Sequence, residues 1–221
     1  MQGYLIWGYV HIILFVFWLG ADVGVFAAAL MARNPKRSFE ARMALIRLAM
    51  LVDFFPRVCF ALILPAGLHL VKALNLYPIS TQLLMVGWAL ALYWLISLIL
   101  VARNEGTKLA ENVGRLAMVS HAFVGLIFVV LGLNSLATGA PLEETWFAVK
   151  LLLYGLVFWT AIAIDLCFRP FLVPFMEIGQ HGSSPEREEA VARAINNTLV
   201  AVTTLYLLIA AIAFIGKVKP I

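Results

Sequence analysis

Long runs of apolar residues, separated by short polar stretches, follow one another along the whole chain. Each run holds roughly 18–25 residues, enough for an α-helix to cross a hydrocarbon core about 30 Å thick. The ten-residue alternation that is typical of a membrane β-barrel does not occur. The pattern predicts an all-α integral membrane protein with six transmembrane helices in a single domain, 1–221; the spans are about 4–31, 49–75, 82–102, 116–138, 146–168 and 197–216.

Composition agrees with this class of protein. Of the 221 residues, 63% are hydrophobic and only 13% are charged, which is too little polar surface for a water-soluble domain. The formal net charge of +4 does not indicate nucleic-acid binding, because the basic residues lie in the connections between spans. Cys59 and Cys167 lie in apolar runs without a CxxC partner, so we interpret both as packed small residues.

Basic residues concentrate in alternate connections, which predicts the orientation of the chain. The connections after the first, third and fifth spans contain Lys and Arg, whereas 75–82 and 138–146 contain neither. Basic connections stay in the cytoplasm under the positive-inside rule. Both termini are therefore predicted to lie outside the cytoplasm. The protein is expected to lie in the inner membrane of a bacterium, in contact with its lipid.

The basic connections also have the pattern of helices that continue beyond the membrane. Asn34-Pro35 is typical of a helix start, with proline in the first turn. Ser183-Ser184-Pro185-Glu186 has the pattern of a capping box, which predicts a helix that continues into the sixth span. The prolines between Arg169 and Pro174 are expected to end the fifth span.

Four polar or aromatic residues share one face of the first span, because they follow at steps of four, three and four. An ionisable residue inside a membrane span is costly, so it usually faces a protein interior or a cofactor. The first and last of the four are separated by about 16 Å of helical rise, which places them in two different layers. The four residues are His11, Phe15, Trp18 and Asp22.

The outer layer has the composition of a haem b site. His11 and His69 are predicted at one level on neighbouring antiparallel helices, where two imidazoles bind a haem iron axially. Copper is the competing occupant, since imidazole also binds copper, and a simple hydrogen bond to a neighbouring helix remains open. Further residues are expected to contact the macrocycle or its propionates, and they are Trp18, Lys72, Lys150 and Tyr154.

The inner layer consists mainly of carboxylates. Asp53 and Arg57 are four residues apart and can pair along one helix. We expect an ion-paired network in this layer rather than a proton pathway, and its members are Asp22, Asp53, Arg57 and Asp165.

His121 is a weaker metal-ligand candidate on the inner side. Its nearest inner-side histidine partner would be His181, which lies in a connection. Gly125 and Gly132 follow it on the same face of the fourth span and leave room for a close neighbour.

A family resemblance rests on three stretches of the chain. His11 to Gly20 has the form H-x6-W-x-G, the second span contains Pro65-Ala-Gly67, and the fifth opens with a W-x-x-x-K-L run from Trp146 to Leu151. These stretches resemble the CopD-like copper-resistance membrane proteins and the HemJ-type membrane protoporphyrinogen oxidases, in which a histidine often stands at the position of Ala148. The resemblance implies a membrane bundle that holds haem or copper near His11 and leaves the reaction open.

Three functions follow as expectations. The first is a haem b-binding redox protein that exchanges electrons with a quinone or a partner protein. The second is a copper-handling membrane protein with the same histidines, and the third is a non-enzymatic accessory subunit. The sequence contains no GxGxxG, Walker-type or HExxH motif, and it leaves open whether the protein is an enzyme or a homo-oligomer.

Overall fold

The structure is a computed structural model that describes residues 2–220, with side chains described for 3–220. Every regular element in this part of the chain is helical. A short 3-10 turn, Arg169–Phe171, separates the fifth helix from the sixth. The α-helices are α1 (Gln2–Ala32), α2 (Phe39–Ala73), α3 (Thr81–Arg103), α4 (Lys108–Thr138), α5 (Thr145–Phe168), α6 (Leu172–His181) and α7 (Pro185–Val218).

Six of the helical segments are long and apolar enough to cross a membrane. Large apolar side chains also stand on the protein surface: Leu51, Val200 and Leu207 are each 68% exposed. Water would not tolerate so much exposed apolar surface, whereas lipid does. The predicted class, an all-α membrane protein with six spans, is confirmed.

Two helices begin well before the predicted spans, as the connections suggested. α7 starts at Pro185, and the hydroxyl of Ser184 accepts a hydrogen bond of 3.3 Å from the backbone N–H of Arg187. Proline fits the first helical position because its missing N–H would have no acceptor there. α2 likewise starts at Phe39, on the N-terminal side of the predicted second span.

The predicted start at Asn34-Pro35 is wrong. The Asn34 side chain accepts a hydrogen bond from the N–H of Lys36 (3.0 Å), which closes a turn that competes with helix formation. The helix starts after Ser38 instead, where the hydroxyl accepts from the N–H of Ala41 (3.3 Å).

Helix α6 is absent from the sequence prediction because prolines flank its start. α5 does end at Phe168, as expected, but the chain remains helical beyond it. Pro170 lies in the 3-10 turn and Pro174 in the first turn of α6, where an N–H has no acceptor within the helix. Neither proline therefore interrupts a hydrogen bond.

The chain divides into two compact units. Unit 1 comprises the residues up to Asp22 together with Val52–Ser120, and unit 2 comprises Val23–Leu51 together with the residues from His121 onward. α1, α2 and α4 each contribute to both units.

In unit 1, α1 and α3 both pack against α2 through aromatic side chains. The rings of Trp7 and His69 are stacked with centroids 4.0 Å apart, and those of Trp18 and Phe60 lie 5.2 Å apart. Residue numbers fall along α2 as they rise along α1, so the two helices are antiparallel. Phe60 also faces Trp94 of α3 at 6.2 Å.

Unit 2 has an apolar core at the junction of α1, α2, α6 and α7. Phe171 and Phe175 are stacked with ring centroids 4.7 Å apart, and each is 1% exposed. This core includes residues before the predicted sixth span, so it is built partly by the helical extensions. Its buried members are Ala32, Ile46, Phe171, Phe175, Ile178, Val191, Ala194, Ile195 and Leu199.

Candidate functional site

Two of the predicted ligand histidines, His11 on α1 and His69 on α2, lie on facing stretches of these helices in unit 1. The Trp7 ring covers one face of the His69 imidazole at an interplanar angle of 5°. The indole N–H of Trp88, on α3, donates a hydrogen bond of 3.1 Å to Nε2 of His69. We call Trp7, His11, Gly67, His69 and Trp88 the His69 cluster.

His11 lies one helical turn beyond Trp7 and its ring contacts α2 at Gly67. A Cβ atom at Gly67 would lie 3.5 Å from Cε1 and 3.8 Å from Nδ1 of His11. The absence of a side chain at Gly67 therefore leaves the edge of the His11 ring directly beside the α2 backbone. These contacts place Trp7 level with His69 and His11 level with Gly67, so the two histidines lie about one helical turn apart in level.

Further along α1, the cluster continues into an aromatic layer. Trp18 is 5% exposed and its ring is tilted against that of Phe60. Trp94 stands on the other side of Phe60 and donates its indole N–H to the hydroxyl of Ser120 at 2.9 Å. Lys72, by contrast, is an exposed residue in the last turn of α2. Trp18 is thus a buried packing residue of unit 1.

The predicted carboxylate network forms in part within unit 1. Asp53 accepts a hydrogen bond of 2.6 Å from Nε of Arg57 in the expected i,i+4 ion pair. Asp22 is 7% exposed and interacts electrostatically with both of these residues. Arg57 thus offsets two nearby carboxylates, and we call the three residues the Asp22 cluster. Asp165 belongs to unit 2, where it is partly buried on α5.

Two further predicted residues, Lys150 and Tyr154, lie one turn apart on α5 in unit 2. The Lys150 ammonium lies against the α7 backbone: a Cβ atom at Gly216 would be 2.6 Å from Nζ. A cation near the C-terminus of a helix is favourable, because that end carries a partial negative charge. The Tyr154 ring packs against Phe128 and Phe158 at 5.3 and 5.2 Å.

The room beside His121 is occupied by a neighbouring helix. A Cβ atom at Gly125 would lie 3.0 Å from the carbonyl oxygen of Gly155, and one at Gly132 would lie 2.9 Å from that of Ala148. The close neighbour predicted from the glycines is therefore α5, and the His121 ring faces Phe158 on it at 5.8 Å.

A buried arginine ties together the helix ends of unit 2. Arg42 is 1% exposed, and its Nε donates a hydrogen bond of 2.8 Å to the carbonyl of Ala32, at the end of α1. Its Nη1 donates to a carboxylate oxygen of Glu188 at 2.9 Å, and its guanidinium lies 5.3 Å above the Phe175 ring. The same Glu188 oxygen also accepts from the Ser183 hydroxyl at 2.9 Å. We call these five residues the Arg42 cluster.

Two residues that belong to these clusters, Trp88 and Arg42, were not predicted from the sequence. Trp88 has the pattern of an interfacial tryptophan, and no spacing rule links it to His69 on another helix. Arg42 belongs to a basic connection, so its charge was assigned to membrane topology. The sequence gives one indication that Arg42 is buried, because it lies on a helical extension whose apolar face also includes Phe39 and Ile46.

Among residues 3–220, no group of three or more His, Cys, Asp or Glu side chains is placed to hold a metal ion. Comparisons with protein-family models, curated proteins and solved structures found no match for this chain. The functional argument therefore depends on the residues and contacts described above.

Proposed function

We propose that this chain is a haem b-binding redox protein of a bacterial inner membrane, with the haem at the His69 cluster. The observation that carries the proposal is the placement of His11 and His69 on facing stretches of α1 and α2, with the His11 ring beside Gly67 and the His69 ring stacked on Trp7. Such a pair is a frequent source of axial ligands for haem in helical bundles. When bound, haem b supplies one-electron transfer at its iron.

Aromatic side chains line the same stretches of α1 and α2. The His11 ring packs against the α2 backbone at Gly67, Trp7 stands one turn away on α1, and the Trp18 and Phe60 rings pack together further along the two helices. A porphyrin brings four nitrogen ligands of its own, so one or two imidazoles are a sufficient protein contribution. Lys72, exposed near His69, suits a propionate carboxylate.

The orientation of the chain supports a site near the outer surface. The connections that carry the basic residues alternate with connections that lack them, which favours termini outside the cytoplasm. The His69 cluster lies toward the start of α1, on that side of the membrane. We propose an exchange of electrons there with a quinone or a partner protein.

The resemblance to the HemJ-type oxidases supports haem binding but not the same reaction. Ala148, where those oxidases often have a histidine, is 1% exposed, and its carbonyl oxygen lies beside Gly132 of α4. The histidine of those oxidases is therefore replaced here by a small, buried residue. We therefore propose electron transfer and leave porphyrinogen oxidation out of the proposal.

The test is to purify the full chain in detergent and to record its visible spectrum and metal content. A Soret band that shifts on reduction with dithionite is expected, with iron in proportion to haem. Stoichiometric copper without haem would favour the copper-handling function, in which the same histidines bind copper. A folded protein without haem or metal would refute both functions and favour an accessory subunit.

A further inference from the structure

Two exposed arginines of unit 2 carry charges that the described chain does not neutralise. Arg47 lies on α2, and Arg169 lies in the 3-10 turn between α5 and α6. Within residues 3–220, neither guanidinium makes an ion pair or a hydrogen bond. Arg193, on α7 of the same unit, is also exposed, but its guanidinium pairs with Glu189 at 2.5 Å. Arg47 and Arg169 therefore need an anion from outside the chain.

The packing of α2 on α6 places these two arginines at a similar level. The ring of Phe39 lies 5.1 Å from that of Phe175. Arg47 follows Phe39 by about 12 Å of helical rise, and Arg169 precedes Phe175 by about 9 Å. Both steps lead toward the membrane span of the respective helix. The two residues thus lie within about one helical turn of the same level.

Exposed leucines lie next to both arginines. Leu51, one turn from Arg47 on the side of the span, is 68% exposed. Leu166 and Leu172, on either side of Arg169, are 47% and 58% exposed. Apolar surface of this kind faces lipid tails, and the long stem of an arginine lets its guanidinium reach the polar headgroups. The two charges therefore lie at the boundary between the lipid tails and the headgroups.

The anion available at that boundary is the lipid phosphate. A guanidinium donates two parallel hydrogen bonds to a phosphate group and stays charged at neutral pH. In a zwitterionic lipid the cation of the headgroup offsets the phosphate, whereas in an anionic lipid the negative charge is left over. We propose that Arg47 and Arg169 form a binding site for the headgroup of an anionic phospholipid. This inference does not depend on haem binding.

The test is native mass spectrometry of the full chain in detergent, titrated with phosphatidylglycerol or with phosphatidylcholine of the same acyl chains. Wild type is expected to bind phosphatidylglycerol at least about tenfold more tightly, since each basic residue near a headgroup favours an anionic lipid by about fivefold. Arg47→Gln and Arg169→Gln should each remove about fivefold of this preference, and the double variant most of it. Binding of phosphatidylcholine should stay unchanged.

The matched control is Arg193→Gln, which removes an exposed arginine that already has a carboxylate partner. This variant should keep the wild-type preference, and so should the double variant Arg47→Lys with Arg169→Lys, which keeps both charges. All variants should unfold at the wild-type temperature in lipid-free detergent, because the substituted side chains are exposed. Equal binding of the two lipids to wild type, or an equal loss in Arg193→Gln, would overturn the inference. Release of bound lipid by an equal concentration of inorganic phosphate would also overturn it, because free phosphate would then be sufficient.

Discussion

Two of the polar clusters that involve α2, one in each unit, satisfy their polar groups differently. In the Arg42 cluster a guanidinium with 1% exposure meets a carboxylate, a backbone carbonyl and an aromatic face. In the His69 cluster an imidazole meets an indole N–H and a second aromatic ring, and the indole is 42% exposed. The first cluster buries a charge, whereas the second holds a hydrogen bond near the protein surface.

The two clusters should therefore respond differently to substitution. Arg42 cannot lose Glu188 without being left unpaired in an apolar core. A neutral imidazole that loses an indole partner loses only one hydrogen bond, a net change of about 0.5–1.5 kcal/mol. We expect substitutions in the Arg42 cluster to lower the stability of the protein more than substitutions in the His69 cluster.

The largest effect is expected for Arg42→Met. It removes the guanidinium and leaves Glu188 as an unpaired carboxylate beside an apolar core, which should lower the free energy of unfolding by about 3–5 kcal/mol. Thermal unfolding in detergent measures this change. The double variant with Glu188→Met should recover part of the loss, because it removes the orphaned charge as well.

The matched control is Glu111→Gln, which breaks an ion pair with Arg115 whose side chains are 66% and 68% exposed. Such a pair contributes roughly 0–1 kcal/mol. A similar loss of stability in Glu111→Gln and Arg42→Met would mean that burial does not distinguish the two pairs.

An intermediate effect is expected for the glycines that let helices approach. In Gly155→Ala the new methyl group would lie 2.6 Å from the Gly125 carbonyl oxygen, so α4 and α5 must separate, at about 1–3 kcal/mol. In Gly67→Ala the methyl group would lie at an ordinary 3.5 Å from His11 and the helix gains propensity, so stability should change little. Parallel melting curves of the two variants measure the contrast, and equal destabilisation would count against it.

The smallest effect is expected for Asp53→Ala. Its ion pair with Arg57 is partly exposed, at 29% and 43%, and Asp22 remains to offset the arginine charge. The expected loss is at most about 1 kcal/mol. A loss of stability as large as that of Arg42→Met would show that the Asp22 cluster also supports the fold. The expected difference between the Asp22 cluster and the Arg42 cluster would then be absent.

Much of the fold follows from the sequence because lipid imposes a simple rule. Every backbone group must be paired within the membrane, so long apolar runs become helices. The C-terminal ends of the six long helices fall close to the predicted ones, whereas α2, α4 and α7 begin well before the predicted spans. Errors arose where local hydrogen bonding competed with helix formation. Asn34 closes a turn instead of starting a helix, and prolines in first turns permit α6 instead of preventing it.

The sequence predicts contacts in the site only where helical geometry relates the residues. The pairing of Asp53 with Arg57 follows from a step of four residues, and the facing of α1 and α2 follows from their antiparallel order along the chain. The contacts of Trp88 and Arg42 join helices far apart in sequence, where no periodicity applies. Lys150 shows the same limit, since its position against Gly216 depends on how α5 packs with α7.

The central claim, that haem b is held by His11, is tested most directly by the haem content per chain of His11→Ala. The control is His181→Ala, which removes an exposed histidine at the end of α6. Wild type and His181→Ala are expected to purify with equal haem, and His11→Ala is expected to purify folded but without haem. Wild-type haem content in His11→Ala would contradict the claim.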